Sequence, residues 1–322
     1  MPGAGSYDRG IVTAVTARVP AKVNLQLSVG PPGADGYHDL VTVFHALALF
    51  DEVTVTSADT DSVVVTGEGA SSVPADGSNL AVRAVAALVE VVGPGVRDAP
   101  GLAIEIRKRI PVAAGLAGGS ADAAGALVAC NELWGAGLSQ QELAEVAAKV
   151  GSDVGFALLG GTAVGLGRGD RVTPALAAGT YHWVLAFAAE QLSTPAVYAA
   201  CDRLRAGRSA PTAAPQLNTA LMAALRSGDP VELGPLLSND LQPAAVSLLP
   251  RLRQALAAGR EHGALGAIVS GSGPTCAFLA RDGAHARDLA VALAGAGVCR
   301  TVASVSGPAP GATVISVPST RA

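Results

Sequence analysis

The chain has 322 residues and a mass of 31.7 kDa, about twice the ~150-residue domain prior, so two domains or one large mixed domain both fit. Half of it is apolar, with only four Tyr, five Phe and two Trp, so Ala, Val and Gly supply the interior, which excludes disorder and a fibrous repeat. Charged residues make up 15%, the net charge is −4, and no Lys/Arg-rich run exists, which argues against sequence-independent nucleic-acid binding and towards small-molecule chemistry.

Cys130, Cys201, Cys276 and Cys299 are too far apart for a metal-ligand pair and read as buried small hydrophobes. The longest uncharged stretches carry Pro, Gly, Thr or His where a membrane span wants continuous apolar residues. Asp8 and Arg9 sit where a secretory leader would be apolar, so cytoplasmic residence is expected.

In chain order, Val12 to Val29 alternates like a strand, the turn cluster Gly30 to Gly36 follows, and Leu40 to Phe50 reads as a second strand. Val53 to Thr56 and Ser62 to Thr66 read as two further short strands. Asn79 caps a helix through Val92, and Leu102 to Arg107 alternates again. A Gly-rich turn then leads into a helix from Ala121 to Trp134, with Ala124, Leu127 and Val128 on its apolar face. Ser139 and Glu142 form a capping box opening a helix to Val150. The Gly-rich stretch Gly151 to Gly169 implies close backbone packing. A strand at Tyr181 to Ala188 begins the second half, which places a domain boundary near residue 175. Arg205 to Pro215 reads as an exposed loop. Helices at Leu217 to Arg226, Pro250 to His262 and Ala284 to Ala294, with strands at Ala267 to Val269 and Thr275 to Ala280, complete an α+β pattern.

Four stretches carry chemistry. PVAAGLAGGSADAA (111–124) is a Gly-rich turn between a strand and a helix, where free N–H groups and the helix dipole suit a phosphate. It is neither a Walker loop nor a dinucleotide fingerprint, and a tight packing turn is an equal reading. In VPAKVNLQLSVGPPGADGYHDL (19–40), Lys22 and Asn24 share a strand face, while Tyr37 and His38 lie in a turn; a solvent-facing lysine and a plain surface turn are the alternatives. In KVGSDVGFALLGG (149–161), Asp153 stands among small and apolar residues and reads either as a helix cap or as a carboxylate that takes a proton from a hydroxyl beside a cation, for which Lys22 is the candidate. AIVSGSGPTCAFLA (267–280) joins two strands by a turn that is either a backbone anion nest or a flexible hairpin.

In this order the four stretches resemble the GHMP kinase superfamily, over most of the chain. The superfamily resemblance rests on PVAAGLAGGSADAA and SGSGPTCAF. PAKVNLQL with DGYHDL, and GSDVGF, resemble the branch that serves non-mevalonate isoprenoid synthesis. The resemblance implies a two-domain α+β GHMP kinase fold: an N-terminal ribosomal-protein-S5-domain-2-like, ATP-binding half (1–175) and a C-terminal substrate-binding GHMP half (176–322). It implies phosphoryl transfer from ATP, with Mg²⁺, to the hydroxyl of a small molecule bearing a cytidine diphosphate moiety, with no nucleic acid, membrane or obligate protein partner.

Residue by residue, Asp153 resembles the catalytic base and Lys22 the lysine that orients the attacking hydroxyl. Pro111, Val112, Ala113, Ala114, Gly115, Leu116, Ala117, Gly118, Gly119, Ser120 and Ala121 resemble the ATP-phosphate loop, with Ser120 a weak Mg²⁺ ligand. Tyr37 and Tyr198 match the rings that sandwich the cytosine, and His38 the histidine at its edge. Asn24 and Thr194 match polar substrate contacts, and Gly271, Ser272 and Gly273 the loop beside substrate and phosphates. Alanine at 114 and 117, where members often carry glycine, implies a backbone there that avoids glycine-only conformations. Another small-molecule kinase of the superfamily, or a non-catalytic ATP-binding regulator on the same fold, are the rival readings.

Overall fold

The computed structural model describes residues 14–97, 99–207 and 213–316. The expectations about a leader at the N-terminus and about part of the Arg205 to Pro215 loop fall outside them. No helix among the described residues is long and apolar enough to cross a membrane.

The strands are β1 (Ala14–Pro32), β2 (His38–Ala58), β3 (Ser62–Gly67), β4 (Gly101–Lys108), β5 (Thr162–Gly167), β6 (Arg171–Pro174), β7 (Tyr181–Phe187), β8 (Ser238–Asn239), β9 (Gly266–Val269), β10 (Cys276–Ala280), β11 (Thr301–Gly307) and β12 (Thr313–Ser316). The helices used below are α1 (Leu80–Val92), α2 (Gly118–Leu133), α3 (Gln140–Val150), α4 (Val154–Leu159) and α5 (Thr194–Ala206). Among the described residues the first sheet has eight strands, built on β12-β1-β2-β4-β3, with β5 and β6 continuing from β2 and β8 on β1. The second is the antiparallel sheet β11-β7-β10-β9.

The α+β pattern holds, with corrections. The separate strand expected at Val53 to Thr56 is the end of β2, which runs unbroken through Asp51 because that carboxylate is paired inside the protein. Part of the Gly-rich stretch read as strand-like is the helix α4. The helix α5 was not expected at all. Asn79 caps α1 through its side chain, and the Ser139 and Glu142 capping box opens α3 as expected.

The second sheet is covered on both faces. Tyr181, Trp183, Leu185 and Phe187 of β7 join Ala277 and Leu279 of β10 in one cluster with the core of the first sheet, while Val184 and Ala186 join Cys276 and Phe278 in the other. Period-two alternation thus sorts uniformly apolar strands onto two buried faces. Helix α2 is buried nearly all round, not on one face as expected, and a Cβ at Gly125 would lie 2.8 Å from Val53 and 2.9 Å from Val19. Small residues let this helix press against β1 and β2, and its N-terminus therefore opens at a fixed place.

A buried ionic cluster anchors that place. The Lys108 ammonium, at the end of β4, donates to Asp51 (2.5 Å) and to Asp122 on α2 (2.6 Å). The second Asp51 oxygen accepts from the backbone N–H groups of Arg109 and Ile110 at 2.6 and 2.9 Å, just where the phosphate-loop stretch departs. Burial pushes the Asp122 carboxyl up to about 7 against the pull of Lys108, and the Asp51 carboxylate adds to the push. The raised folded value means that this group's contribution to stability is full below the ordinary carboxylate value and is lost as pH rises through about 7. Urea midpoints at pH 5 and pH 8 should fall more steeply for the native protein than for Asp122→Asn; parallel declines would refute the assignment.

Candidate active site

Both halves line one cavity of about 980 Å³. From the first come Lys22, Asn24, Tyr37, His38, Asp153 and the turn residues Ala113, Ala114, Gly115, Ala117, Gly118 and Gly119. From the second come Thr194, Tyr198, Gly271 and Ser272. Pro111, Val112, Leu116, Ser120, Ala121 and Gly273 are not in its lining; Leu116 and Ala121 are packed in the core beneath the loop.

Lys22 does not reach to solvent. It is 6% exposed, and its ammonium donates to Asn24 Oδ1 at 2.7 Å; Asn24 in turn donates to Thr42 Oγ1 at 2.8 Å. A register irregularity of β1 against β2 falls between Asn24 and Gln26. The Asp153 carboxylate lies 3.7 Å from the Lys22 ammonium, inside ion-pair range but too far for a hydrogen bond. Asp153 stands at the start of α4 yet its side chain caps no backbone N–H, so capping does not explain it. Burial pulls the Lys22 ammonium below its ordinary value, with Asp153 opposing the shift.

The loop before α2 is held by its carbonyls. Leu116 O accepts from the Lys22 backbone N–H (3.3 Å), Ala114 O from Thr275 N–H (3.3 Å) and Gly115 O from the Ser270 hydroxyl (3.0 Å). No side chain caps α2, so its opening N–H groups are left for an anion, and Ala117, Gly118 and Gly119 of that opening line the cavity. Ala117 adopts φ 60°, ψ 34°, and Ala113 has φ 52°. The expectation of a backbone that avoids such conformations holds at Ala114 and fails at Ala117, where the loop keeps left-handed backbone with alanine at a cost of about 1–2 kcal/mol. At Gly115, with φ 76°, a Cβ would run into the Ser270 carbonyl oxygen.

Across the cavity, Thr194 Oγ1 and Ser272 Oγ are 2.9 Å apart, and the turn of the β9–β10 hairpin brings Gly271 and Ser272 to the cavity wall. Asn239 on β8 supports this turn by donating to Val269 O and Gly271 O, both at 2.7 Å. Tyr37 is 56% exposed, with the Arg168 guanidinium 3.7 Å from its ring centroid and held there by Asp35. The His38 ring packs against Tyr198 with centroids 5.0 Å apart.

Sequence reasoning missed Arg168, Lys149, Asp202 and Asn239. Asp202 had a detectable signal, since it follows Thr194 and Tyr198 at four-residue steps on α5. Among the described residues no cluster of three or more His, Cys, Asp or Glu could hold a metal.

An anion-ready helix start beside a lysine and a carboxylate, in a cavity lined from both halves, has the parts of a small-molecule phosphotransferase. The model for the GHMP kinases N terminal domain matches residues 79–161, and that for the GHMP kinases C terminal region matches 221–299. A 4-diphosphocytidyl-2-C-methyl-D-erythritol kinase of Mycolicibacterium smegmatis is 57% identical over 95% of this chain and 94% of its own. The kinase of the same name from Thermobifida fusca is 54% identical over 94% of this chain and 99% of its own. A crystal structure of 4-(cytidine 5'-diphospho)-2C-methyl-D-erythritol kinase superposes with a TM-score of 0.72 at 34% identity, covering 90% of this chain and 98% of that one. The chain therefore belongs to the GHMP kinases and, within them, to the 4-diphosphocytidyl-2-C-methyl-D-erythritol kinase family.

Gly115→Ala places a side chain where the second half's backbone lies. We expect a loss of more than about 2 kcal/mol of stability and weaker ATP binding, read by urea denaturation and calorimetry. An unchanged midpoint and Kd would show that the two halves do not meet this way.

Proposed function

We propose that the protein transfers the γ-phosphoryl group of ATP to the 2-hydroxyl of 4-diphosphocytidyl-2-C-methyl-D-erythritol, giving the 2-phosphate and ADP. The observation that carries this is the pairing of Lys22 and Asp153 at 3.7 Å in the cavity that the 113–119 loop also lines. A hydroxyl between them accepts from the ammonium and donates to the carboxylate. Asp153 takes the proton as the oxygen attacks the γ-phosphorus, and the bond to the β-phosphate oxygen breaks as ADP leaves. Lys22 has three donors; Asn24 fixes one, and the others serve the hydroxyl and the charge that develops.

The relatives, kinases of 4-diphosphocytidyl-2-C-methyl-D-erythritol, point to the acceptor, and Tyr37, His38 and Tyr198 bring aromatic rings to the cavity for a pyrimidine, although His38 and not Tyr37 is the ring that packs against Tyr198. The phosphate tail belongs at the opening of α2, with Lys149 and Arg168 adding positive charge to the cavity wall. Mg²⁺ fits as an ion held mostly by phosphate and water, since the protein donors near the loop are few and Ser120 is not in the lining. Bound there, it would neutralise phosphate charge. We assign the nucleotide mainly to residues 1–175 and let the acceptor bridge both halves, from Lys22, His38 and Asp153 to Thr194 and Tyr198.

A coupled assay should release ADP only when the cytidyl acceptor is present; ADP release without it, or with homoserine or mevalonate instead, would overturn the acceptor assignment. Asp153→Asn should lower kcat by roughly 10²–10⁴ while changing acceptor Kd less than about threefold. Undiminished turnover would remove Asp153 from the chemistry.

A further inference from the structure

Helix α5 brings Thr194, Tyr198 and Asp202 to the cavity at successive four-residue steps. The first two face groups already discussed. Asp202 does something else: its Oδ1 lies 2.9 Å from Nε2 of His38, which comes from the far side of the cavity at the start of β2. An ionised carboxylate only accepts hydrogen bonds, so the ring proton of a neutral His38 resides on Nε2. The other ring nitrogen, Nδ1, then keeps an unshared lone pair. Among the described residues nothing bonds Nδ1, while the ring lines the cavity and packs at 42° against Tyr198.

A lone pair beside an aromatic ring distinguishes two pyrimidines that are otherwise nearly the same shape. Cytosine carries an amino group at position 4, which donates to such an acceptor; uracil carries a carbonyl there, whose lone pairs oppose it. Discrimination between donor and acceptor is strong where an unmatched polar group would be left without a partner.

We propose that Asp202 is a specificity-determining positioning residue: by holding the His38 proton on Nε2 it presents Nδ1 as an acceptor and so selects an amino-pyrimidine over a keto-pyrimidine. This rests on the acceptor reading above. Asp202 acts through His38 and has no part in proton transfer to or from the reacting hydroxyl.

The test compares calorimetric binding of cytidine 5′-diphosphate and uridine 5′-diphosphate to the whole chain, with kcat and KM for the cytidyl acceptor alongside. The native protein should prefer the cytidine compound by about tenfold or more. In Asp202→Asn the amide can donate to Nε2 and drive the ring proton to Nδ1, so the preference should fall by at least about fivefold. Asp202→Glu should restore most of it, and KM for ATP should stay the same. If the asparagine variant does not fold, Asp202→Ala, which frees both tautomers, serves the same comparison. A cytidine-to-uridine ratio unchanged in the variant, with both affinities falling together, would reduce Asp202 to a structural support and overturn the proposal; so would a native protein with no preference. Native ADP release tests the proposed reaction separately. If the native protein turns over but the ratio does not move, this inference alone fails. If the ratio depends on Asp202 but no acceptor-dependent ADP forms, the reaction fails and the inference stands.

Discussion

The architecture of the cleft depends on one close approach: the backbone of the loop before α2 lies directly on the turn between β9 and β10. Gly115 has no side chain where the Ser270 carbonyl stands, and the carbonyls of Ala114 and Gly115 are bonded by Thr275 and Ser270 from the other half. Because these contacts use the carbonyl side of the loop, the N–H groups at the opening of α2 are left for an anion. The contact that joins the halves therefore also orients the anion site, and Lys22 shares in it through its backbone bond to Leu116.

A second constraint acts from beneath. Lys108 bridges Asp51 of β2 and Asp122 of α2, and Asp51 receives the backbone of Arg109 and Ile110 as the chain leaves β4. Breaking such a buried set by removing one partner leaves uncompensated charge, so the exit angle of the loop is strongly specified. Burial holds one carboxylate of the set, Asp122, above its ordinary range. The anchor of the loop is thereby linked to pH through a group that lies beneath the cavity wall and not in it.

Much of this was legible locally and little of it remotely. The Asn79 and Ser139 caps follow from short-range side-chain bonds, and the sequence places them to the residue. Lys22, Asn24, Asp153, Tyr37, His38, Thr194 and Tyr198 do meet around one cavity, but it took resemblance to connect stretches more than a hundred residues apart. What escaped was set by tertiary pairing. Asp51 looks like a strand end until Lys108 is placed beside it, so β2 was cut short. Helix α5 escaped because Pro195 and the polar residues around it resemble a loop, although a proline in the first turn is well tolerated. Asp202 and Arg168 were lost because each works through a neighbour, His38 and Tyr37, and not by a motif of its own.

The last described strand, β12, pairs with β1, the first, and β8 also reaches back to β1 from the middle of the second half. The linear division near residue 175 is consequently not a mechanical seam. Severing the polypeptide there would strip the opening sheet of two neighbours while leaving the closing segments without a template. The first and last described strands are thus hydrogen-bonded neighbours in one sheet, so the two parts of the chain are tied by backbone pairing as well as by the polypeptide link.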